Sequence, residues 1–277
     1  MKTGFARVVE NTRLYGDTYI CWFDAPDLLR NAAPGQFLML RCADAASPQD
    51  GSAGGSSLVG DPLLPRAMSY HRIRQGDRGA EFAILYDVVG RGTAWLAQRQ
   101  AGDEVFAWGP LGRGYSMRNL GQNLLLIGGG IGIAPLLWLA DEAVEQAKSV
   151  VLIDGARDAR GVFPAELVPP EVEVAVTTQD GSVGRKGLVT DVFPDYFGWA
   201  DQVFTCGPNP MFAALAELLT SHEGSQRTRR RKSVQALLES PMGCGTGICY
   251  GCAVFDRRGD PRLVCKEGPR FELREMY

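Results

Sequence analysis

Four cysteines lie close together near one end of the sequence, at Cys244, Cys249, Cys252 and Cys265. Their spacing, C-x4-C-x2-C-x12-C, is typical of plant-type [2Fe–2S] sites, where one curled loop directs its thiolates at two irons. The surrounding stretch, PMGCGTGICYGCAVF (241–255), is rich in glycine, which lets a loop bend tightly and lets amide groups approach sulfur. These residues therefore predict a [2Fe–2S] cluster.

A structural zinc site and a pair of disulfides are the alternatives for these cysteines. Zinc usually takes two short Cys-x2–4-Cys pairs, and only Cys249 and Cys252 form such a pair. Disulfides are uncommon in intracellular proteins, where cysteines serve metal or redox chemistry more often. The cysteines at positions 21, 42 and 206 stand alone in or beside apolar segments, and we expect them to be small buried residues.

A glycine turn, IGGGIGIAP (127–135), follows an apolar segment and precedes a helical pattern. Gly129, Gly130 and Gly132 would let a pyrophosphate lie against the helix N-terminus, although Pro135 replaces the last glycine of the standard dinucleotide fingerprint. A second motif, TCGPNPM (205–211), would bring Cys206, Gly207 and Pro208 to the same edge of a parallel sheet. Together the two motifs predict a dinucleotide site.

Three segments of different character must position these residues. Residues 1–118 contain six or so short β segments, which predict an antiparallel barrel or sandwich. Residues 119–224 alternate apolar strands with helices, including short helices expected near 163–167 and 188–193, and this pattern predicts a parallel α/β sheet. Residues 225–277 form a small terminal module that carries the four clustered cysteines.

Two polar stretches interrupt this pattern. Residues 43–61 are rich in Ser, Gly, Ala and Asp, and we interpret them as a flexible surface loop without a catalytic role. The basic stretch at 227–232 is either a solvated connector or a contact for an acidic partner or for cofactor phosphates.

Composition limits the classes of function. The chain has 277 residues, 45% of them hydrophobic, and a net charge of −3, which argues against nucleic acid as a partner. It shows no secretory signal pattern and no apolar run long enough for a membrane span, so we expect a cytoplasmic protein that does not bind membranes. The two histidines, His71 and His222, are expected to be structural or solvated, and no catalytic acid or base is predicted.

The motifs resemble those of the ferredoxin–NADP reductase superfamily, whose members join a flavin-binding β-barrel to a nicotinamide domain with GGGxGxxP and CGP motifs. The resemblance implies FAD at RAMSY (66–70) and GRGT (90–93). Arg66 would pair with the pyrophosphate and Ser69 would bond to the flavin ring. The flavin-site residues that the resemblance implies are Arg66, Ala67, Met68, Ser69, Leu85, Tyr86, Asp87, Gly92 and Thr93.

The order of barrel, nicotinamide domain and terminal cluster module is similar to that of electron-transfer subunits of NAD-dependent (class 1B) dihydroorotate dehydrogenases. The similarity includes GPLGRGY (109–115), DGSVGRKGLVTD (180–191) and VCKEGP (264–269). It implies that electrons from dihydroorotate, oxidised at FMN in a catalytic partner subunit, pass through the cluster and FAD to NAD⁺ in pyrimidine biosynthesis. The expected assembly is a heterotetramer of two copies of each subunit.

Two departures from this pattern stand out. The family usually has Pro-x-Ser-Ile after the flavin-site arginine, where this chain has Ala-Met-Ser-Tyr (67–70), and residues 43–61 resemble an insertion. The preference for NAD or NADP stays open, because Asp154 could meet the adenine ribose or cap a turn, while Arg157 and Arg160 lie nearby.

Four other functions remain as alternatives. Small subunits of NADH-dependent ferredoxin:NADP oxidoreductases and of hydrogenases share the architecture, but in the former relatives the first cluster ligand tends to be aspartate, so Cys244 favours the dihydroorotate interpretation. A stand-alone oxygenase reductase commonly carries a different ferredoxin. A redox-responsive regulatory subunit would lose nicotinamide binding, and the intact GGGIGIAP and CGP motifs argue against it.

Overall fold

The computed structural model describes residues 1–43, 62–118, 121–224 and 232–277. The predicted surface loop, apart from Ala43, and the basic linker, apart from Lys232, lie outside these residues. Within the described part of the chain, no helix is long and apolar enough to cross a membrane.

The first half of the chain is a seven-stranded antiparallel sheet in the order β4-β3-β7-β1-β2-β6-β5. Its strands are β1 (Lys2–Tyr15), β2 (Thr18–Asp24), β3 (Phe37–Leu40), β4 (Arg66–Ser69), β5 (Arg72–Gly76), β6 (Gly79–Asp87) and β7 (Glu104–Leu111). The two edge strands, β4 and β5, are separated by only two residues, so the sheet curls into a half-barrel. Alternate residues point inward, and Phe23, Phe82 and Tyr70 pack against one another inside.

Two short helices accompany this sheet, α1 (Pro26–Leu29) and α2 (Arg91–Ala97). The side chain of Thr93 begins α2 by accepting hydrogen bonds from the backbone N–H groups of Val89 (3.0 Å) and Gly90 (3.3 Å). This local cap holds the β6–α2 turn in a fixed conformation.

The second half is a seven-stranded sheet in the order β11-β10-β9-β8-β12-β13-β16. Its strands are β8 (Asn123–Gly129), β9 (Ser149–Ala156), β10 (Glu173–Thr178), β11 (Arg185–Lys186), β12 (Gln202–Cys206), β13 (Ser233–Leu237) and β16 (Arg270–Glu272). All pairs are parallel except β13 with β16. The helices of this half are α3 (Ala134–Glu145), α4 (Val189–Phe197) and α5 (Asn209–Gly224). The apolar runs of β8 and β12 are buried, as expected for a sheet covered on both faces.

The predicted architecture, an antiparallel flavin-type barrel followed by a mainly parallel α/β sheet and a small C-terminal part, is confirmed. The helix expected near 163–167 is wrong, because only short 3₁₀ turns form, at Ala159–Gly161 and Ala165–Leu167. Pro164, Pro169 and Pro170 surround the second turn and prevent a longer helix. The helix expected near 188–193 forms as α4.

The C-terminal residues divide between the large sheet and a separate loop. β13 and β16 extend the parallel sheet, whereas β14 (Ala253–Phe255) and β15 (Pro261–Leu263) pair only with each other. The short helix α6 (Leu273–Met276) ends the chain and packs its Leu273 and Met276 into the core below the sheet. The clustered cysteines therefore lie on a loop that is anchored on both sides by strands of the large sheet.

Polar contacts lock the two halves together. His71 of the half-barrel is buried, and its Nδ1 is 2.7 Å from the carbonyl oxygen of Ala134 at the start of α3. Arg72 donates two hydrogen bonds to the Asp141 carboxylate, at 2.9 and 2.8 Å, and a third to the carbonyl of Leu167. Because these bonds join β5 to α3 and to the turn at Ala165–Leu167 that follows β9, they fix the width of the space between the halves.

Candidate functional site

A cavity of about 650 Å³ lies between the half-barrel and the second sheet, and we call it the inter-sheet cavity. Of the residues predicted to bind flavin, those that line it are Arg66, Ala67, Met68, Ser69, Leu85, Tyr86, Asp87 and Thr93. Cys206 of the CGP motif lines its other side. The structure thus brings together two motifs of the half-barrel and one of the second sheet, as the sequence predicts.

Gly92 does not line this cavity but controls the position of Arg66. A Cβ atom on Gly92 would lie 2.7 Å from Nε and 2.8 Å from Cζ of Arg66, so a larger residue would shift the guanidinium from its present position beside α2. The guanidinium also donates a hydrogen bond to the carbonyl of Leu64 (2.6 Å). Arg66 is therefore held at the rim of the cavity, where its fork of donors can meet an anionic group.

The side chain of Tyr70, where the family pattern has isoleucine, does not reach the cavity. It is fully buried, its hydroxyl donates to the carbonyl of Leu28 (2.6 Å), and its ring packs edge-on against Trp138. This departure is therefore absorbed by the core and leaves the lining residues Met68 and Ser69 in place.

A second cavity, of about 490 Å³, surrounds the glycine turn, and we call it the glycine-turn cavity. Gly129, Gly130 and Gly132 line it, together with Gly207 and Pro208. Gly130 has a positive φ of 56°, which glycine adopts without strain. The turn continues as a 3₁₀ segment (Gly130–Ile133) directly into α3.

The two motifs of this cavity pack backbone to backbone. A Cβ atom on Gly132 would overlap the carbonyl oxygen of Cys206 and lie 2.8 Å from the amide nitrogen of Gly207. On the other side of the turn, a Cβ atom on Gly129 would lie 3.0 Å from Cδ of Pro208. The glycines therefore allow the turn after β8 to pack closely against the end of β12. Because these residues have no side chains, their backbone atoms line the cavity.

Two residues line both cavities, Ile131 and Glu239. Glu239 lies two residues after the end of β13. Although part of the residue is exposed, desolvation of its carboxyl group raises its pKa. Cys206 lies near it, and burial, with the Glu239 charge as a second cause, raises the pKa of this thiol well above its usual value. The junction of the cavities therefore holds a neutral thiol and one acidic group.

The four clustered cysteines form two pairs. The sulfur atoms of Cys252 and Cys265 are 3.2 Å apart and buried. Cys244 and Cys249 form the more exposed pair. Although burial acts against it, hydrogen bonds from the Cys249 amide and from Thr246 lower the pKa of Cys244 to about 5.

The pairing of the cysteines fits a two-iron cluster. Among the described residues, no group of three or more His, Cys, Asp or Glu side chains converges as ligands of one metal ion. Two pairs are the arrangement that two irons need. Backbone N–H groups already donate to three of the sulfurs, from Thr246 to Cys244 (3.4 Å), from Gly251 to Cys249 (3.4 Å) and from Cys265 to Cys252 (3.5 Å).

The cysteine loop packs directly on the half-barrel beside the inter-sheet cavity. Nε1 of Trp108 donates to the carbonyl of Cys244 (3.1 Å), and a Cβ atom on Gly245 would lie 2.6 Å from Cγ of Met39. Met242, two residues before the first clustered cysteine, lines the inter-sheet cavity itself. Thus the cavity and the cysteines are joined by a few residues of one chain segment.

Comparison with known proteins agrees with this geometry. Residues 239–277 match the family described as iron-sulfur cluster binding domain of dihydroorotate dehydrogenase B. A dihydroorotate dehydrogenase B (NAD⁺) electron transfer subunit from Desulforamulus reducens is 35% identical over 96% of this chain and 95% of its own length. The corresponding subunit of Caldanaerobacter subterraneus subsp. tengcongensis is 35% identical over 98% of this chain and 97% of its own. This chain belongs to the family of dihydroorotate dehydrogenase B electron-transfer subunits.

Solved structures support the same fold. The structure of an NADH-dependent reduced ferredoxin-NADP oxidoreductase superposes with a TM-score of 0.78 at 25% identity, and covers 100% of this chain and 91% of that one. A ferredoxin reductase of carbazole 1,9a-dioxygenase superposes with a TM-score of 0.63 at 22% identity, over 79% of this chain and 65% of that one. As a member of the electron-transfer-subunit family, the chain is part of an oxidoreductase.

Three residues of the candidate site were not predicted from the sequence. Glu239 and Met242 were not singled out, although they stand between a strand end and the first clustered cysteine, which is where loops at a sheet edge meet ligands. Trp108 gave no signal, because its role depends on a contact with Cys244, 136 residues away.

Proposed function

We propose that this chain carries electrons from an FMN-containing dihydroorotate dehydrogenase catalytic subunit, through a [2Fe–2S] cluster and FAD, to NAD⁺ in pyrimidine biosynthesis. Residues 1–118 hold FAD, residues 119–224 hold NAD and residues 225–277 hold the cluster, in a cytoplasmic heterotetramer with the catalytic subunit. Family membership at 35% identity over nearly the whole chain supports this proposal.

The observation that carries it is the continuity of the three candidate sites. The glycine-turn cavity and the inter-sheet cavity share Ile131 and Glu239, and the inter-sheet cavity reaches Met242, two residues before Cys244. When bound, the cluster supplies one-electron transfer, and the flavin exchanges both single electrons and hydride with the nicotinamide. An electron carrier needs its groups in such a sequence, whereas a regulatory protein does not.

The chain's own residues bind and orient these groups. Arg66 offers a planar pair of donors for the flavin pyrophosphate, and the residues of β4 and β6 supply an apolar wall for the ring. The open backbone of Gly129–Gly132 receives the nicotinamide pyrophosphate at the start of α3. Cys206, neutral and buried between the cavities, positions the nicotinamide without exchanging a proton.

The surface beside the clustered cysteines fits a partner subunit. Ile248 and Tyr250 flank Cys249 and are 81% and 67% exposed, although both are large and apolar or aromatic. Exposed apolar groups of this size mark interaction sites when they are grouped. We propose that the catalytic subunit docks here, because electrons can enter a cluster only from a donor that comes close to it.

The test is reconstitution with a candidate FMN-containing catalytic subunit. Dihydroorotate-dependent NAD⁺ reduction is expected only with both proteins together. Ile248→Asp should weaken the complex in size-exclusion chromatography, while Val183→Asp, on an exposed valine of the nicotinamide half, should not. Lack of a complex and of activity, with flavin and cluster intact, contradicts the proposal.

A second candidate is the small subunit of an NADH-dependent ferredoxin:NADP oxidoreductase, because that protein shares the fold at a TM-score of 0.78. The higher identity to dihydroorotate dehydrogenase subunits and a cysteine at 244, where such relatives tend to have aspartate, favour the first function. Ferredoxin-dependent NADP⁺ reduction, measured with a ferredoxin partner in place of dihydroorotate, separates the two.

A further inference from the structure

The glycine-turn cavity has a far end that the proposed function does not explain. One end, at Ile131 and Glu239, meets the inter-sheet cavity. The other end lies where β9 and β10 finish, and Arg157, Thr177 and Gln179 line it. If the nicotinamide ring meets the flavin, as proposed above, this far end receives the adenosine ribose.

A carboxylate that could recognise an unmodified ribose does not line this end. Dinucleotide folds use an Asp or Glu after the second strand to bind the ribose 2′-hydroxyl of NAD, and an arginine to accept the 2′-phosphate of NADP. Asp154 has the expected place in β9, but it is only 1% exposed and does not line the cavity. Its Oδ2 accepts a hydrogen bond from the backbone N–H of Phe163 (2.9 Å), while its buried Oδ1 has no partner among the described residues. Among the described residues that line the cavity, Glu239 is the acidic one, and it lies at the opposite end.

Arg157 stands where the 2′-phosphate of NADP would come. Backbone hydrogen bonds from Gln179 to Ala156 (3.2 Å) and from Asp180 to Arg157 (3.3 Å) hold the ends of the two strands side by side. Within residues 1–43, 62–118, 121–224 and 232–277, the Arg157 guanidinium makes no hydrogen bond or ion pair. Arg157 is exposed and is one of the residues that line the cavity.

The carboxylates near Arg157 are already engaged. Asp158 pairs with Arg160 (2.7 Å), and Asp180 accepts hydrogen bonds from the hydroxyl (2.7 Å) and the amide (2.9 Å) of Ser182. Neither acidic residue lines the cavity. Hydrogen bonds from Arg160 lower the pKa of Asp158 most, and Arg157 is the last and weakest of the groups that lower it. The positive charge of Arg157 is therefore available to an anionic ligand.

A second feature of the same end also points to a ligand. Thr177 lines the cavity and is 1% exposed, yet its hydroxyl has no hydrogen-bond partner among the described residues. A buried hydroxyl without a partner costs free energy, which a bound ligand with donor and acceptor groups would recover. Gln179 adds a neutral amide that can donate to a phosphate and does not repel it.

We propose that this site accepts NADP(H) as well as NAD(H), with Arg157 as the residue that binds the 2′-phosphate. The guanidinium fork matches phosphate oxygens, and the ribose lies over Thr177 and Gln179. The hydride transfer is the same for both nucleotides, because the 2′-phosphate lies at the far end from the nicotinamide. The proposal rests on the nicotinamide site of the proposed function and names its substrate class more closely.

The test uses ligands that bind without reacting. Isothermal titration calorimetry of the full-length holoprotein should show that both ligands bind, with the affinity for 2′-phospho-ADP-ribose no more than about tenfold below that for ADP-ribose. Arg157→Gln should weaken binding of the phosphorylated ligand by about tenfold or more, as expected for loss of a charge-assisted hydrogen bond, and that of ADP-ribose by less than about threefold. Arg185→Gln is the matched control, because Arg185 pairs with Asp195 outside the cavity.

Three results would overturn the inference. The first is an affinity for 2′-phospho-ADP-ribose that is more than about tenfold lower than the affinity for ADP-ribose. The second is an equal loss for both ligands in Arg157→Gln, and the third is the same loss in Arg185→Gln. If neither ligand binds, the nicotinamide site itself is wrong, and the proposed function fails together with this inference. Flavin reduction by NADPH, compared with NADH, gives an independent activity readout.

Discussion

The contact between the glycine turn and the CGP motif can be tested by adding a single methyl group. In Gly132→Ala, the new Cβ atom would overlap the Cys206 carbonyl oxygen and lie 2.5 Å from its carbonyl carbon and 2.8 Å from the Gly207 nitrogen. All three neighbours are backbone atoms, so no side-chain rotation relieves the clash. The turn and the end of β12 must move apart, and both line the glycine-turn cavity.

Overpacking of this kind costs about 1–3 kcal/mol of folding free energy. For a domain of this size, that lowers the melting temperature by roughly 2–4 °C per kcal/mol. Binding should suffer more than stability, because a displacement of about 1 Å at a site that positions a reacting group can cost roughly a hundredfold in rate. We expect NADH to reduce the flavin of Gly132→Ala at least about tenfold more slowly at a fixed low NADH concentration, with flavin and cluster absorbance retained.

Gly198→Ala is the control, because a Cβ atom there meets nothing within 4 Å and its φ of −60° suits alanine. This variant should keep wild-type kinetics and a melting temperature equal to or slightly above that of the wild type. If Gly132→Ala behaved like Gly198→Ala, the backbone contact would not shape the cavity, and the reasoning about the two motifs would be wrong.

Three further changes test other parts of the structure. Burial, opposed by the bond to Ala134, lowers the pKa of His71 to about 4, so the unfolded chain binds a proton at a higher pH than the folded one. The free energy of unfolding should therefore be highest above pH 6.5 and should fall by about 3 kcal/mol as the pH drops to 4. In urea unfolding, His71→Asn should lack this part of the pH dependence, and an unchanged pH profile would contradict the assignment. Glu239→Gln removes the acidic group at the junction of the cavities. Because the oxidised nicotinamide ring is positively charged, this variant should weaken the binding of NAD⁺ by roughly tenfold relative to that of NADH in equilibrium titrations. Equal effects on the binding of both nucleotides would exclude an electrostatic role. Cys252→Ala, which leaves no ligand atom, should strongly reduce the iron content of the purified protein, whereas Cys21→Ala, at a buried cysteine of the half-barrel, should not. Full iron content in the first variant would refute the ligand assignment.

Much of the fold could be predicted because each half has a strong local pattern. Alternating residues mark the strands of the half-barrel, and the apolar runs before GGGIGIAP and CGP mark central parallel strands. The clustered cysteines are singled out by their spacing, and the burial of Cys21 and Cys42 is predicted by the apolar segments around them. The 3₁₀ turns at Ala159–Gly161 and Ala165–Leu167 could not, since an apolar pattern interrupted by prolines does not distinguish a short helix from a turn.

The roles of Asp154 and Arg157 show where local pattern stops being informative. The sequence permits Asp154 to meet a ribose or to cap a turn, because its position after an apolar strand fits both. The choice depends on which face of β9 carries the side chain, and the structure turns it toward Phe163, inside the core. Arg157, three residues later, is the basic residue among the described residues that line the cavity, which follows from the path of the chain after the strand.

The junction between the cavities depends on contacts that no local pattern contains. Ile131 comes from the glycine turn, Cys206 from the end of β12 and Glu239 from the end of β13, and only the neighbouring order β8-β12-β13 in the sheet brings them together. The strand order also explains why the cysteine loop lies beside the flavin-type cavity, because that loop begins where β13 ends. The carboxyl ends of parallel strands lie at one edge of a sheet. In this chain the cysteine loop follows β13, the last of the three adjacent strands β8, β12 and β13, so the candidate nicotinamide, flavin and cluster sites lie in a row. The electron path proposed here is thus a consequence of strand order, and the same reasoning predicts that substitutions in the core of β13 will disturb both redox centres at once.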